Sequence, residues 1–376
     1  MNRISLENIS KKESSNLSQK DIESMTGNYS VYGASGYIGK IDFYHQEKEY
    51  IAVVKDGAGI GRTMFLPAKS SVIGTLQYIL PAENIFPKYL YYAVKNMRLE
   101  KYYTGATIPH IYYKDYKKET FWLPDIVKQQ RIVTILEKIE LLIEKIQQEL
   151  LDFDTLIKSR FVEMFGDISK NEYKYQTKKL GDVANVGSSH RVFTNEFVEK
   201  GIPFYRGTEI GELAVGHTPI NPYYISEEHY LRLTSDETKP QIGDLLMPSI
   251  CNKGQIWMVD TNKPFYYKDG RVLCISADRK IYDTKYLQYY MKMKTEIEYP
   301  KLGTGSTFAE FKIFLLKDLD ILTPPIDLQN QFAVFVRQVD KLRFEEEKRL
   351  KKTQLLLCKL IYKTMGFYPD IIIRWL

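Results

Sequence analysis

Three glycines at alternate positions, Gly57, Gly59 and Gly61, follow an apolar run in "YIAVVKDGAGIG" (50–61). A strand that feeds such a turn can hold phosphate when a helix N-terminus stands behind the glycines and points its N–H groups at the anion. The continuation "RTMFLPAKSSVIG" is rich in β-formers and contains Pro67, so no helix is available. The stretch reads as a glycine-rich β-turn. Other chemistry finds less support. The five histidines (His45, His110, His190, His217, His229) show no metal-ligand spacing and no helical pair. The three cysteines (Cys251, Cys274, Cys358) form no CxxC, which argues against a disulfide frame and a zinc site. Neither a GxSxG nor a Walker A sequence occurs. Acidic residues lie mostly in helical charge patterns, which are solvated faces. No catalytic constellation emerges.

What stands out is a repeated phrase. "TGATIP" at 104–109 returns as "TGSTFA" at 304–309, and the same shift of 200 carries Pro124 to Pro324, Ile126 to Ile326, Gln129 to Gln329 and Gly166 to Gly366. "KYLYYAVK" (88–95) matches "KYLQYYMK" (285–292) at a shift of 197, and "LENI" (6–9) is echoed weakly by "LGDV" (180–183). The halves scarcely agree between these marks. A duplication with a common frame and divergent inserts accounts for the pattern.

The elements that must carry the repeat follow from its texture. Residues 28–80 alternate short apolar runs with Gly, Ser and Pro, as strands and turns do. A short helix opens at Pro87 and covers 86–101. After Pro124 comes a long helical pattern starting at Asp125 and stopping at Gly166. Its apolar residues Ile132, Ile135, Ile139, Leu142, Ile146, Phe153 and Leu156 keep 3–4 spacing, and Leu136, Ile143, Leu150 and Ile157 are strictly heptad. The second half repeats the order, with strand texture through 180–280, a short helix at 283–296 and a long one over 326–365. The second seam is predicted through Phe332, Phe335, Val339, Leu342, Glu346, Arg349, Thr353, Leu356 and Leu360. Helices of some forty residues would reach about 60 Å. The competing reading is a core helix inside each domain; the favoured one pairs the two helices as a rod that holds two globular units apart. The charged middle of the second helix, "RFEEEKRLKK", predicts that part of the seam faces another protein.

Bulk properties agree. At 376 residues the chain suits two or three domains, and its net charge of +6 permits a nucleic-acid partner without demanding one. The 29 tyrosines offer flat faces to bases or proteins, although most are expected simply to fill β-rich cores. No apolar run approaches membrane length and the N-terminus lacks a leader's apolar core, so the expectation is a cytoplasmic protein without membrane contact.

The ordered set of motifs resembles the specificity subunit of a type I restriction–modification system. "YSVYGASGYIGKIDFY", "YIAVVKDGAGIGRTMFL" and "SSVIGTLQYILP" are similar to a first target-recognition domain of that family. "GDVANVGSSHRVF", "GIPFYRGTEI" and "IGDLLMPSI" are similar to the opening of a second, and "KSRFVEMFGD" to the family's helix ending. The resemblance covers nearly the whole chain. Its one departure is the Ser/Lys-rich start of the first unit, about 25 residues that match the second unit poorly. The resemblance implies an α+β fold with two β-rich target-recognition domains and two long helices packed as an antiparallel coiled coil, related by a pseudo-two-fold. The corresponding boundaries are 1–124, 125–167 (first spacer helix), 168–325, 326–367 (second spacer helix) and a tail at 368–376. It implies a non-catalytic subunit that reads a split, asymmetric target in double-stranded DNA. Two modification subunits, carrying S-adenosylmethionine and methylating adenine, and restriction subunits would assemble on it; no cofactor is expected in this chain.

Phosphate contacts need Lys, Arg or turn N–H groups, and base reading needs polar side chains that reach a groove. In the first unit the candidates are Ser35, Tyr37, Lys55, Arg62 and Lys69 around the glycine turn, then Thr107, His110, Tyr113 and Lys114. In the second they are Ser188, His190, Arg191, Arg206, Thr208, Lys253, Gln255, Ser306 and Thr307. Each also suits an ordinary turn or surface role. The shared hexapeptide reads as a frame loop that contacts either phosphate or the modification subunit. Two other readings compete. A coiled-coil scaffold that binds only proteins shares the rod but needs no polar, basic turns. A self-contained methyltransferase finds only "NPYY" (221–224), similar to the Asn-Pro-Pro-Tyr loop of adenine methyltransferases but lacking the second proline and any cofactor turn.

Overall fold

The computed structural model describes residues 2–105, 107–236, 238–302 and 309–367. The chain divides into two compact units, Met1–Leu150 with Glu345–Leu376, and Leu151–Phe344. Each long helix therefore begins in one unit and ends in the other.

The first unit opens with strand Asn2–Ser5 paired antiparallel to Thr120–Leu123. A four-stranded antiparallel sheet follows in the order Ser10–Ser14, Leu76–Pro81, Tyr50–Val54, Thr63–Leu66. Every residue of Tyr50–Val54 is buried, because alternate side chains enter different cores. Ile51 and Val53 face the short helix Pro87–Asn96 and the start of the first long helix, at Ile132, Val133 and Leu136. Tyr50, Ala52 and Val54 instead face a second, three-stranded sheet of Gly36–Ile41, Tyr29–Gly33 and Ser71–Val72.

The second unit repeats this plan. Gln176–Lys179 pairs with Asp320–Thr323, and a four-stranded sheet runs Ala184–Gly187, Val272–Ala277, Leu245–Pro248, Trp257–Met258. Its buried strand Leu245–Pro248 again splits its side chains, Leu245 and Met247 to one core and Leu246 to another. The matching end ladders correct the expectation that the first unit's start departs from the repeat. Within that start, Ser18 and Asp21 form a capping box that opens helix Gln19–Ser24. The divergent part of the second unit is larger than its strand texture suggested. A sheet of Phe197–Val198, Tyr223–Ile225, Ile202–Tyr205 and Tyr266–Tyr267 is joined by helices Gly207–Ala214 and Glu227–Leu233. The second of these was signalled by Ser226, whose hydroxyl accepts from the His229 N–H at 3.1 Å.

The long helices span Ile126–Phe165 and Ile326–Met365. Asp125 caps the first by accepting from the Lys128 N–H at 2.9 Å, and Gly166 and Gly366 end the two with φ of 75° and 80°. In the first unit the beginning of one helix packs with the end of the other, through Leu136, Leu357, Leu360, Ile361 and Met365. In the second the roles reverse, with Phe161 and Phe165 of one against Phe332 of the other. The heptad line Leu136, Ile143, Leu150 and Ile157 of the first helix is covered as expected, and the rest of the seam's phase needs correction. Ile135, Leu156, Leu342 and Leu356 are 47%, 47%, 57% and 55% exposed. The covered line of the second helix runs through Phe332, Val336, Val339, Arg343, Glu346, Leu350, Thr353 and Leu357, one residue away from the predicted track at four positions. Among the described residues no helix is long and apolar enough to cross a membrane.

Candidate nucleic-acid interface

In the first unit the glycine turn links strands Tyr50–Val54 and Thr63–Leu66, so a strand and not a helix follows it in the chain. Gly61 has a φ of 80°, and a Cβ there would meet the Glu100 N at 2.7 Å. Glycine is required because this turn lies against the backbone of Leu99 and Glu100. The repeated-phrase loop ties to the same turn. The Gly57 N–H donates to Pro109 O and the Ile111 N–H to Lys55 O, both at 2.9 Å. Side chains follow, with His110 Nδ1 bonded to Asp56 Oδ1 at 2.7 Å and Lys55 Nζ 3.2 Å from Asp56. His110 stacks on Tyr112, and Lys114 lies 5.4 Å over that ring. Lys55, His110 and exposed Thr107 thus gather on two adjoining loops, with Lys114 on the short helix Tyr113–Tyr116 that follows.

Arg62 reaches the other way. Its Nη1 donates to Ala34 O at 2.8 Å, in the hairpin turn that carries exposed Ser35 and Tyr37. Two candidates are placed elsewhere than expected. Lys69 lies on a different loop, 3.9 Å from Glu47, away from the glycine turn. Tyr113 packs edge-on against Tyr116 at the rim of the core instead of projecting outward.

In the second unit, Ser188 is a backbone pin, donating to Val272 O and accepting from the Gly270 N–H, both at 2.8 Å. His190 Nε2 bonds Asp236 Oδ2 at 2.6 Å, and the imidazole beside it, with the Thr238 N–H, holds the Asp236 carboxyl down to about 2. Asp236, Ser188, Asn185, Thr238 and Ser276, with Tyr267 and Cys274, line an open cavity of about 430 Å³. Arg191 pairs with Asp269 at 3.1 Å. Gln255 spends its amide inside its own turn, accepting from the Lys253 N–H at 3.1 Å, which leaves the Lys253 side chain exposed. The Phe311 N–H donates to Ser249 O at 2.7 Å, repeating the loop tie of Ile111 to Lys55. Ser306 and Thr307 lie outside the described residues.

Arg206 is the most constrained of the candidates. Its Nε and Nη2 meet Glu209 Oε2 and Oε1 at 3.1 and 2.5 Å, and its guanidinium lies 4.7 Å over the ring of Tyr223. Thr208, on the first turn of the same helix, is exposed. Asp56, Asp236, Glu209 and Tyr223 were missed by the sequence reading. The spacing of Arg206 to Glu209, three apart at a helix start, was the one legible signal.

The family model of the type I restriction modification DNA specificity domain matches residues 1–152 and again 172–355. The chain belongs to the family of type I restriction–modification specificity subunits. A type I restriction enzyme specificity subunit of Haemophilus influenzae is 22% identical over 338 residues, covering 87% of this chain and 85% of the relative. The MjaIX specificity subunit of Methanocaldococcus jannaschii is 24% identical over 318 residues, covering 76% and 70%. The fold agrees with that of the S subunit from M. genitalium, with a TM-score of 0.59 at 16% identity over 98% of this chain and 96% of that one. A structure described for complex assembly and conformational transition of the type I system matches with a TM-score of 0.58 at 14% identity, covering 98% of each chain. As a specificity subunit the chain serves DNA target recognition and is not itself catalytic. Among its described residues no group of His, Cys, Asp and Glu could hold a metal ion.

Proposed function

We propose that this specificity subunit reads a bipartite, asymmetric target in double-stranded DNA, one half-site per unit, and directs adenine methylation and restriction by partner subunits. The observation that carries the reading is a common frame bearing unlike surfaces. The loop ties of Ile111 to Lys55 and of Phe311 to Ser249 occupy equivalent places. The side chains around them differ, His110 with Asp56 in one unit and Glu310 with Arg271 in the other. Equivalent grips with different faces suit two different half-sites.

The two long helices, running antiparallel, act as the spacer that sets the gap. Two modification subunits, bringing S-adenosylmethionine, dock by pseudo-two-fold symmetry, and restriction subunits join that complex. Exposed apolar residues support such docking. Leu156 and Val162 in one unit are matched at the shift of 200 by Leu356 and Tyr362 in the other, all at least 37% exposed. Mapping methylated adenines in the DNA of cells that hold the chain with its modification partner tests the reading. The expected map shows two unlike half-sites at one fixed gap; a single or palindromic site would overturn it. Salt-sensitive retardation of DNA by the assembled complex is also expected, and its absence would favour a protein-binding scaffold.

A further inference from the structure

The geometry points to Arg206 as a base-reading residue of the second unit, presented edge-on to a guanine by a clamp of Glu209 and Tyr223. This deepens the proposed function and rests on it. Strand Ile202–Tyr205 delivers Arg206 to the mouth of helix Gly207–Ala214, and the neighbouring strand brings Tyr223 opposite Phe204. Glu209 is 7% exposed at its side chain and accepts three bonds from Arg206, from the backbone N–H at 2.8 Å and from Nε and Nη2. Burial alone would raise this carboxyl, but the Arg206 bonds outweigh it and keep the group ionised. Tyr223 closes one face of the guanidinium and is itself stacked on Phe197, with ring centres 4.8 Å apart.

The result is a guanidinium with fixed plane and fixed direction. Its Nη1 has no protein partner among the described residues, and the side chain is 45% exposed, so the free donors lie on the edge away from Glu209. That end presents parallel N–H groups, which match the O6 and N7 acceptors of guanine in the major groove. A phosphate is the poorer match. Glu209 cancels the positive charge that a phosphate contact depends on and places carboxylate oxygens near the approaching anion. A held plane, by contrast, confers discrimination through geometry.

The test compares the complete complex containing wild type, Arg206→Lys, and the double variant Arg206→Gln/Glu209→Gln, which leaves no buried carboxylate unpaired. Methylated-base maps give the preference, and binding to duplexes that keep or lose each guanine of the second half-site gives its size. Arg206→Lys keeps the charge and loses the fixed fork. It should relax a single guanine position and lower affinity for the intact target on the order of 10- to 100-fold, with little loss on the target lacking that guanine. The double variant should do the same, and thermal melting reports whether each variant is folded. Equal weakening on all sequences, with the salt slope reduced by about one in the double variant, would mark a phosphate contact and overturn the proposal. Unchanged base preference in folded variants would reduce the clamp to a structural role and overturn it as well. Absence of any target for the wild-type complex would instead remove the underlying reading.

Discussion

Gln129 and Gln329 hold the same post in the two units, and the ground around them differs. Each is buried at the start of a long helix and donates to the carbonyl of the proline five residues before it, Pro124 or Pro324, at 2.8 Å. Each accepts the N–H of the residue that caps the short helix, Phe86 at 2.8 Å and Asp283 at 3.0 Å. Around this shared joint the first unit packs aliphatic side chains from the end of the second helix, Leu357, Leu360, Ile361 and Met365. The second unit packs rings. Phe161 lies 4.8 Å from Phe165, 5.2 Å from Phe332 and 5.6 Å from Tyr286, the last nearly parallel. The duplication kept the hydrogen-bonded joint and let the apolar filling drift, because buried polar groups demand particular partners while a core accepts many shapes of similar volume.

The largest effects should come from that filling. Phe161 is fully buried, so Phe161→Ala should cost about 3–5 kcal/mol in the second unit. Ile361→Ala, at the equivalent place and partly exposed, should cost the first unit less, about 1–3 kcal/mol. Native-state hydrogen exchange separates the two units and checks both numbers; equal losses would show that the cores are energetically alike. The joint itself comes next. Gln329 makes a third bond, to Ile281 O at 3.0 Å, that Gln129 lacks. Gln329→Ala should therefore cost about 2–4 kcal/mol and Gln129→Ala about 1–3 kcal/mol, read from the same exchange profiles.

The same contrast explains what could be read in advance. The frame was legible because buried glutamines, terminal glycines and prolines recur at one shift. The second helix's phase was not, since its apolar residues occupy two adjacent tracks, 335, 342 and 356 beside 336, 350 and 357, and only packing decides which is covered. Helix Gly207–Ala214 is not legible because two of its eight residues, Gly207 and Gly211, are poor helix formers, and Arg206 with Glu209 caps it in place of the usual Ser or Asp. Of the candidate site, loop positions were foreseeable from turn residues. The carboxylates that orient His110, His190, Arg191 and Arg206 come from Asp56, Asp236, Asp269 and Glu209, three of them far away in sequence.

Two tyrosines at the shift of 197 sharpen the comparison at a smaller scale. Tyr89 Oη donates to backbone carbonyls, with Trp122 O at 2.7 Å and Thr364 O at 3.0 Å, whereas the buried Tyr286 Oη has no hydrogen-bond partner among the described residues. Tyr89→Phe should lose about 1–2 kcal/mol. Tyr286→Phe should be neutral or stabilising, since it removes an unsatisfied buried hydroxyl. A matching loss at Tyr286 would mean that its hydroxyl holds a partner such as a buried water.

The smallest difference is electrostatic and concerns Lys95 and Lys292, again 197 apart. Burial pulls the Lys95 ammonium down, but Tyr91 and Glu140 outweigh it and leave the group above the ordinary lysine value. At Lys292 burial, aided by repulsion from Lys285, prevails over Asp154 and Asp340 and leaves the group below it. The signs of the stability contributions are opposite. Lys95 contributes stability that is complete below the unfolded-chain value and is lost as pH rises through its higher folded value. Lys292 carries an unfavourable charge at neutral pH, and stability recovers as pH climbs from its lowered folded value toward the unfolded one. Titration of ¹³Cε-labelled lysines by NMR should place the Lys292 midpoint below the ordinary range and that of Lys95 above it. Lys285→Met should then move the Lys292 midpoint upward and leave Lys95 where it was; a single shared midpoint in the wild type would show that the two short helices carry their lysines in the same surroundings after all.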